Sequence, residues 1–191
     1  MPRLLYVARH GETDWNVQMR WQGHTDVPLN ETGRAQARAL AHSLRRSNLA
    51  GVVASDLSRA HETARIVAVE LGLAVAYVDP GLRERAFGVF EGLTREECET
   101  LHAEAWAAWL ESKRPPQGGE AHEVLTARVV SAVCRVAERV ATEEAPALVV
   151  THGAALRALV TQATGEVPPP VKNGAVWRIV WEGRIAAAEP L

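Results

Sequence analysis

The chain has 191 residues, a net charge of −2, 47% apolar residues and 23% charged ones. That length suits one domain, which buries roughly 70% of its unfolded surface without a disulfide or metal staple. The near-neutral balance speaks against a nucleic-acid binder, and the longest N-terminal apolar run, Leu4 to Ala8, is too short for a signal peptide core or a membrane span.

Leu4-Leu5-Tyr6-Val7-Ala8 reads as a buried strand that stops at Arg9-His10-Gly11. Asn30 then caps a helix whose apolar stripe is Ala35, Ala39, Leu40 and Leu44. Residues 51–54 form a second short strand. A helix through Ile66, Val67 and Leu71 follows, capped by Asp56 or Ser58. Residues 74–78 form a third strand, broken by Pro80-Gly81. Residues 82–119 are irregular. Within them Thr94-Arg95-Glu96-Glu97 is a capping box that starts a helix, and Trp106, Trp109 and Leu110 recur at helical spacing before Pro115-Pro116. A long helix begins near Glu120 and carries Leu125, Val129, Ala132, Val136 and Val140 on one face. Leu148-Val149-Val150 is a fourth strand, ending at Thr151-His152-Gly153, and a helix covers 155–161. Trp177, Ile179 and Trp181 alternate in a further strand, and Gly183 turns into a last one. Helices alternating with short apolar strands predict a three-layer α/β/α sandwich on a mostly parallel sheet, one domain over 1–191.

In such sheets ligands bind beyond the carboxyl ends of the strands. Those ends carry Arg9-His10-Gly11-Glu12, Ser55 to Arg59, Arg83-Glu84-Arg85 and His152-Gly153. A lone strand-end histidine is usually structural. Two histidines, several arginines and a carboxylate on one rim are a different matter. Arginines fork onto phosphate, and helix N-termini near Arg59 and Gly153 add N–H donors. A neutral imidazole can form a covalent intermediate, and a carboxyl group can protonate a leaving oxygen and then activate water. The set suits phosphoryl transfer through a phosphohistidine. No P-loop and no G-x-S-x-G elbow occurs, and His61-Glu62 and His122-Glu123 each lack the second histidine of a zinc motif. Cys98 and Cys134 sit far apart in no ligand spacing, so no metal or cofactor is expected, and the expected address is the cytoplasm.

Arg9-His10-Gly11-Glu12-Thr13 resembles the signature of the histidine phosphatase superfamily, which has the phosphoglycerate-mutase-like fold. Further segments resemble that family in order. These are Trp15-Asn16, Gln22-Gly23, Asp26 and Pro28-Leu29; Ser55 to Ala60 with Thr63-Ala64; and Leu82-Arg83-Glu84 with Phe87-Gly88 and Phe90-Glu91-Gly92. Gly118-Gly119-Glu120, Thr151-His152-Gly153 and Arg157 complete the set. The resemblance implies His10 as nucleophile, and Arg9, Arg59 and His152 as holders of the phosphoryl group, with Asn16 and the Gly153 backbone assisting. It implies Glu84 as general acid, then base, and Gln22 and Gly23 on the substrate side. Glu12 orients the loop. Phe90 departs from the tryptophan many members carry.

Other residues read more plainly. His42, His61, His102 and His122 are expected on exposed helix faces, and Trp177 and Trp181 in the core or an interface. His24 could touch a ligand. Trp106 and Trp109 fall in the region that the resemblance implies as a lid over the site, residues 82–119, and line the leaving-group pocket or pack that lid. Arg83 and Arg85 flank the acid, where one of them could reach substrate, but a place in solvent is the expectation. Three functions compete: a phosphatase acting on small phosphomonoesters, a cofactor-dependent phosphoglycerate mutase, and a non-catalytic domain. Filled catalytic positions disfavour the last. The interval between Glu84 and His152 is short and poor in extra basic residues, which favours the phosphatase. No nucleic acid or membrane partner is expected; the oligomeric state stays open, a homodimer included.

Overall fold

The computed structural model describes all 191 residues, and its central feature is a six-stranded sheet. The strands are β1 (Arg3–Arg9), β2 (Gly51–Ala54), β3 (Val75–Val78), β4 (Ala147–Thr151), β5 (Val176–Trp181) and β6 (Ile185–Pro190), in the order β3-β2-β4-β1-β5-β6. The first four run parallel, and β5 and β6 extend the sheet antiparallel. Alternate residues of the central strands bury opposite faces. The one-turn α1 (Asp14–Val17) follows β1. Leu5, Val7, Val53 and Val149 meet α6 (His122–Arg139) and α7 (Gly153–Thr164), whereas Ala8, Val52, Ala54 and Val150 meet α2 (Glu31–Ser43) and α3 (Ser58–Glu70). This is the mixed α/β sandwich expected. Trp177 and Trp181 are half-buried against the first core. No helix is long and apolar enough to cross a membrane.

Three local expectations are corrected. Ala35 and Ala39 are exposed, and α2 instead buries Gly33, Ala37, Leu40 and Ala41, continuing to Leu44. Gly33 fixes that phase: a Cβ there would meet the Glu12 carbonyl oxygen at 2.1 Å, and a Cβ on Gly11 would meet the Gly33 oxygen at 2.3 Å. Neither Asp56 nor Ser58 caps α3. Leu57 holds that position, and the Ser58 N–H donates to Asp26 at 2.7 Å from another loop. The lid helix is two helices, α4 (Arg95–Leu101) and α5 (Ala103–Ser112), because His102 breaks the helical backbone between them. His102 is half-buried there, not exposed. Thr94 does form its capping box, and Asn30 does cap α2. A separate aromatic cluster of Phe87, Phe90, Trp106 and Trp109 holds this region together.

Candidate active site

Register brings the two rim histidines together. Arg9 of β1 pairs with Thr151 of β4, and the next residue in each chain is a histidine. The His10 N–H donates to the Thr151 carbonyl at 2.9 Å, and the imidazole centroids are 5.1 Å apart, edge to face. Both side chains are buried. His10 Nδ1 lies 2.6 Å from the Gly11 carbonyl, which can only accept, so Nδ1 carries the proton and the lone pair falls on Nε2. The loop is fixed behind it: the Gly11 N–H donates to Thr63, and Glu12 pairs with Asn30 and Gln36. Glu12 thus orients the loop.

Burial pushes both histidines well below their ordinary pKa, and the charges of Arg59 and Arg9 push the same way. A depressed pKa keeps the neutral form as pH falls. Both rings should therefore be neutral at pH 6 in the ligand-free protein. Ring 15N shifts will read this, and imidazolium shifts at that pH would contradict it.

Arg59 is fully buried in the first turn of α3 and donates to the carbonyls of Gly23 and Thr25 at 2.8 and 2.9 Å. Burial pulls its pKa down to about 10. Arg9 donates to the Val171 carbonyl at 2.6 Å. Neither arginine belongs to an ion pair, and the Nε atoms of both are buried without a partner. Both His152 nitrogens also lack partners. Buried charge left uncompensated is costly, so the pair calls for an anion.

Glu84 takes the place of that anion at the N-terminus of α7. Its Oε1 accepts from the Arg85, Ala154 and Ala155 N–H groups at 2.9, 3.0 and 3.3 Å. Those backbone donors, rather than Gly153, are the ones occupied. Gly153 lies between Arg9 and Glu84, its Cβ position 3.5 Å from Arg9 Nε and 3.7 Å from Glu84 Oε2.

Arg9, His10, Asn16, Gln22, Gly23, Arg59, Glu84 and Gly153 line one cavity of about 1030 Å³, whereas His152 is fully buried behind it. Asn16 Oδ1 is used by Thr13 and Asn173, which leaves its amide nitrogen for a ligand. Gln22 is buried with Oε1 unpaired. Gly23 has φ +53°, and a Cβ there would meet Glu91 Oε1 at 2.0 Å. Glu91 needs that space to accept from the N–H groups of His24, Thr25 and Phe87, clasping the substrate loop to the acid loop. Burial alone would raise its pKa, but these hydrogen bonds outweigh it and the net shift is downward.

Several expectations change. His24 turns away from the cavity and reaches the Glu84 carbonyl at 2.8 Å. Arg83 pairs with Asp56, and Arg85 is buried in the cavity wall instead of standing in solvent. Trp109 lines the cavity with Trp21 and Phe87, while Trp106 packs beneath. Exposed His122 also reaches the lining. Two supporting residues escape a reading of the sequence. Arg128, on α6, donates to the carbonyls of Gly81, Arg83 and Glu84 and pairs with Glu120. Asn173 donates to the His10 carbonyl and to Asn16. Its only signal is the turn-forming Asn173-Gly174 pair ahead of β5.

The comparisons decide the family. The sequence model of the histidine phosphatase superfamily (branch 1) matches residues 5–184. The chain belongs to that superfamily. It is similar to the phosphoglycerate mutase-like protein 4 of Arabidopsis thaliana, at 38% identity over 163 residues, 83% of this chain and 70% of that one. It is also similar to the metal-independent phosphoserine phosphatase of the same plant, at 36% identity over 167 residues, 84% and 69% of the two chains. Among solved structures it resembles the mycobacterial glucosyl-3-phosphoglycerate phosphatase in complex with VO3. The TM-score is 0.85 at 31% identity, over 98% of this chain and 97% of that one.

Proposed function

We propose that the protein hydrolyses small phosphomonoesters through a phosphohistidine on His10, with Glu84 acting first as acid and then as base. The activity is that of a phosphoric monoester hydrolase, the class to which the similar proteins named as phosphatases belong. One observation carries the residue assignment. A buried imidazole with its lone pair on Nε2 stands beside the Arg9 and Arg59 guanidinium groups, neither of which forms an ion pair and both of which keep a buried Nε without a partner. Arg9, Arg59, His152, Asn16 and the Gly153 backbone would hold the phosphoryl oxygens, and Gln22 and Gly23 would border the ester. Nε2 attacks phosphorus while the bond to the leaving oxygen breaks and Glu84 gives that oxygen a proton. Water then attacks phosphorus and gives a proton to Glu84, and the P–N bond breaks to release phosphate and free His10. Glu84 occupies the Ala154 and Ala155 donors, which an incoming phosphoryl group would contest.

We also infer one domain over 1–191, with 82–119 as lid, because a single sheet spans the chain and those residues carry their own aromatic cluster. The free cysteines Cys98 and Cys134 fit a reducing cytoplasm. No three His, Cys, Asp or Glu side chains gather with metal-holding geometry. Activity should therefore survive exhaustive treatment with a chelator. Strong inhibition reversed by a divalent ion would contradict this.

The mutase reading is kept alive by relatives with mutase-like names. Incubation with 3-phosphoglycerate, with and without 2,3-bisphosphoglycerate, separates the two. Free phosphate should form at a rate the bisphosphate does not raise. Fast bisphosphate-dependent formation of 2-phosphoglycerate, with little free phosphate, would replace the phosphatase reading with the mutase.

A further inference from the structure

The loop before β5 carries an amide that holds the phosphoryl side of the cavity from behind. Asn173 is half-buried and does not line the cavity. One end of its carboxamide lies 3.1 Å from the His10 carbonyl, 3.3 Å from the Gly11 carbonyl and 3.1 Å from Asn16 Oδ1. Backbone carbonyls only accept, so that end is the nitrogen, Nδ2. The same logic fixes Asn16. The Thr13 N–H only donates, so the Asn16 atom 3.1 Å from it is Oδ1, which also accepts from the Thr13 hydroxyl at 3.2 Å. Three donors converge on Oδ1, and Asn16 Nδ2 is left for the cavity that Asn16 lines. Thr13 caps the one-turn helix that holds Asn16, so its two bonds move with that helix. Asn173 alone ties the Asn16 amide to the backbone of the nucleophile.

The loop does not need this side chain to stay in place. The Arg9 N–H donates to the Ala175 carbonyl at 3.0 Å, the Gly174 N–H donates to the Arg9 carbonyl at 3.1 Å, and the Arg9 guanidinium reaches the Val171 carbonyl at 2.6 Å. We infer that Asn173 is a positioning residue for phosphoryl binding. It locks the Asn16 carboxamide so that Nδ2 meets a phosphoryl oxygen at a set distance from His10. Unlocked, the carboxamide can rotate and turn its own oxygen toward the phosphoryl oxygens, which it repels. This rests on the phosphatase reading above, with Asn16 as a phosphoryl ligand.

Titration calorimetry with inorganic phosphate probes the site without turnover. Asn16→Ala removes the donor and should raise Kd about tenfold to hundredfold, the worth of a hydrogen bond to a charged group. Asn173→Ala keeps the donor but unlocks it, and should raise Kd about threefold to thirtyfold. In Asn16→Ala/Asn173→Ala the Kd should stay within about threefold of that of Asn16→Ala, because the lock has nothing left to hold. An Asn173 that only supports the fold would give losses that multiply. Multiplying losses, or a native Kd in either single variant, would overturn the assignment. The native protein decides the matter even if Asn173→Ala fails to fold. Added phosphate should move the side-chain amide 15N shifts of both Asn16 and Asn173, because a ligand on Asn16 Nδ2 polarises the oxygen to which Asn173 donates; an unmoved Asn173 would overturn the assignment. Turnover of phenyl phosphate by the native enzyme tests the activity separately. Coupled losses without turnover keep the positioning role and sink the phosphatase reading; turnover with multiplying losses does the reverse.

Discussion

Replacing His10 by alanine should lower kcat at least about 10⁴-fold, because the group that forms the covalent bond is gone. The fold should survive. The side chain's hydrogen bond goes to the Gly11 carbonyl, while the backbone around it stays held by Thr151, Thr63 and Asn173. A thermal melt and a phosphate-release assay on the same preparation check both parts. Near-native turnover in a folded His10→Ala protein would end the covalent mechanism.

Glu84→Gln should lower kcat for alkyl phosphates by about 10²- to 10⁴-fold, the usual worth of a positioned acid or base. The size should depend on the leaving group. An alkoxide needs a proton to depart, whereas p-nitrophenolate leaves without one. With p-nitrophenyl phosphate, phosphoryl transfer to His10 should stay fast while hydrolysis of the phosphoenzyme, which needs the base, slows. Stopped-flow absorbance should then show a burst of nitrophenol close to one equivalent, followed by a slow phase. Equal losses for alkyl and aryl esters, with no burst, would remove Glu84 from proton transfer. Gln can still accept from Ala154 through its carbonyl oxygen, so the helix end is not stripped of its partner.

What was legible in the sequence was local. Strands β1 and β4 are short apolar runs that end at a histidine followed by glycine, and their parallel pairing aligns those ends without further information. The Thr94 capping box, the Asn30 cap and the long apolar face of α6 are likewise local patterns. What escaped depends on partners far along the chain. Asp26 takes the first N–H of α3 from 32 residues away, and Asn173 reaches His10 across 163. Arg128 looks like an ordinary polar-face residue of α6 until the Gly81–Glu84 carbonyls are seen above it. The phase of α2 is not legible in the sequence, because small alanines lie on both sides of the helix and Gly33 carries no hydrophobic signal. Only the close approach of the Gly11 backbone selects the buried face. Arg85 reads as a surface charge for the same kind of reason. Its burial comes from Trp109 and Glu120, which lie far along the chain from it.

The central claim is a covalent bond between phosphorus and His10 Nε2. Rapid quenching of the enzyme with a radiolabelled phosphomonoester, followed by digestion and peptide mass spectrometry, reads it directly. The account predicts label on the peptide containing His10, stable in alkali, lost in acid, and absent from His10→Ala. Label on any other residue, or none during steady turnover by the native enzyme, would contradict it.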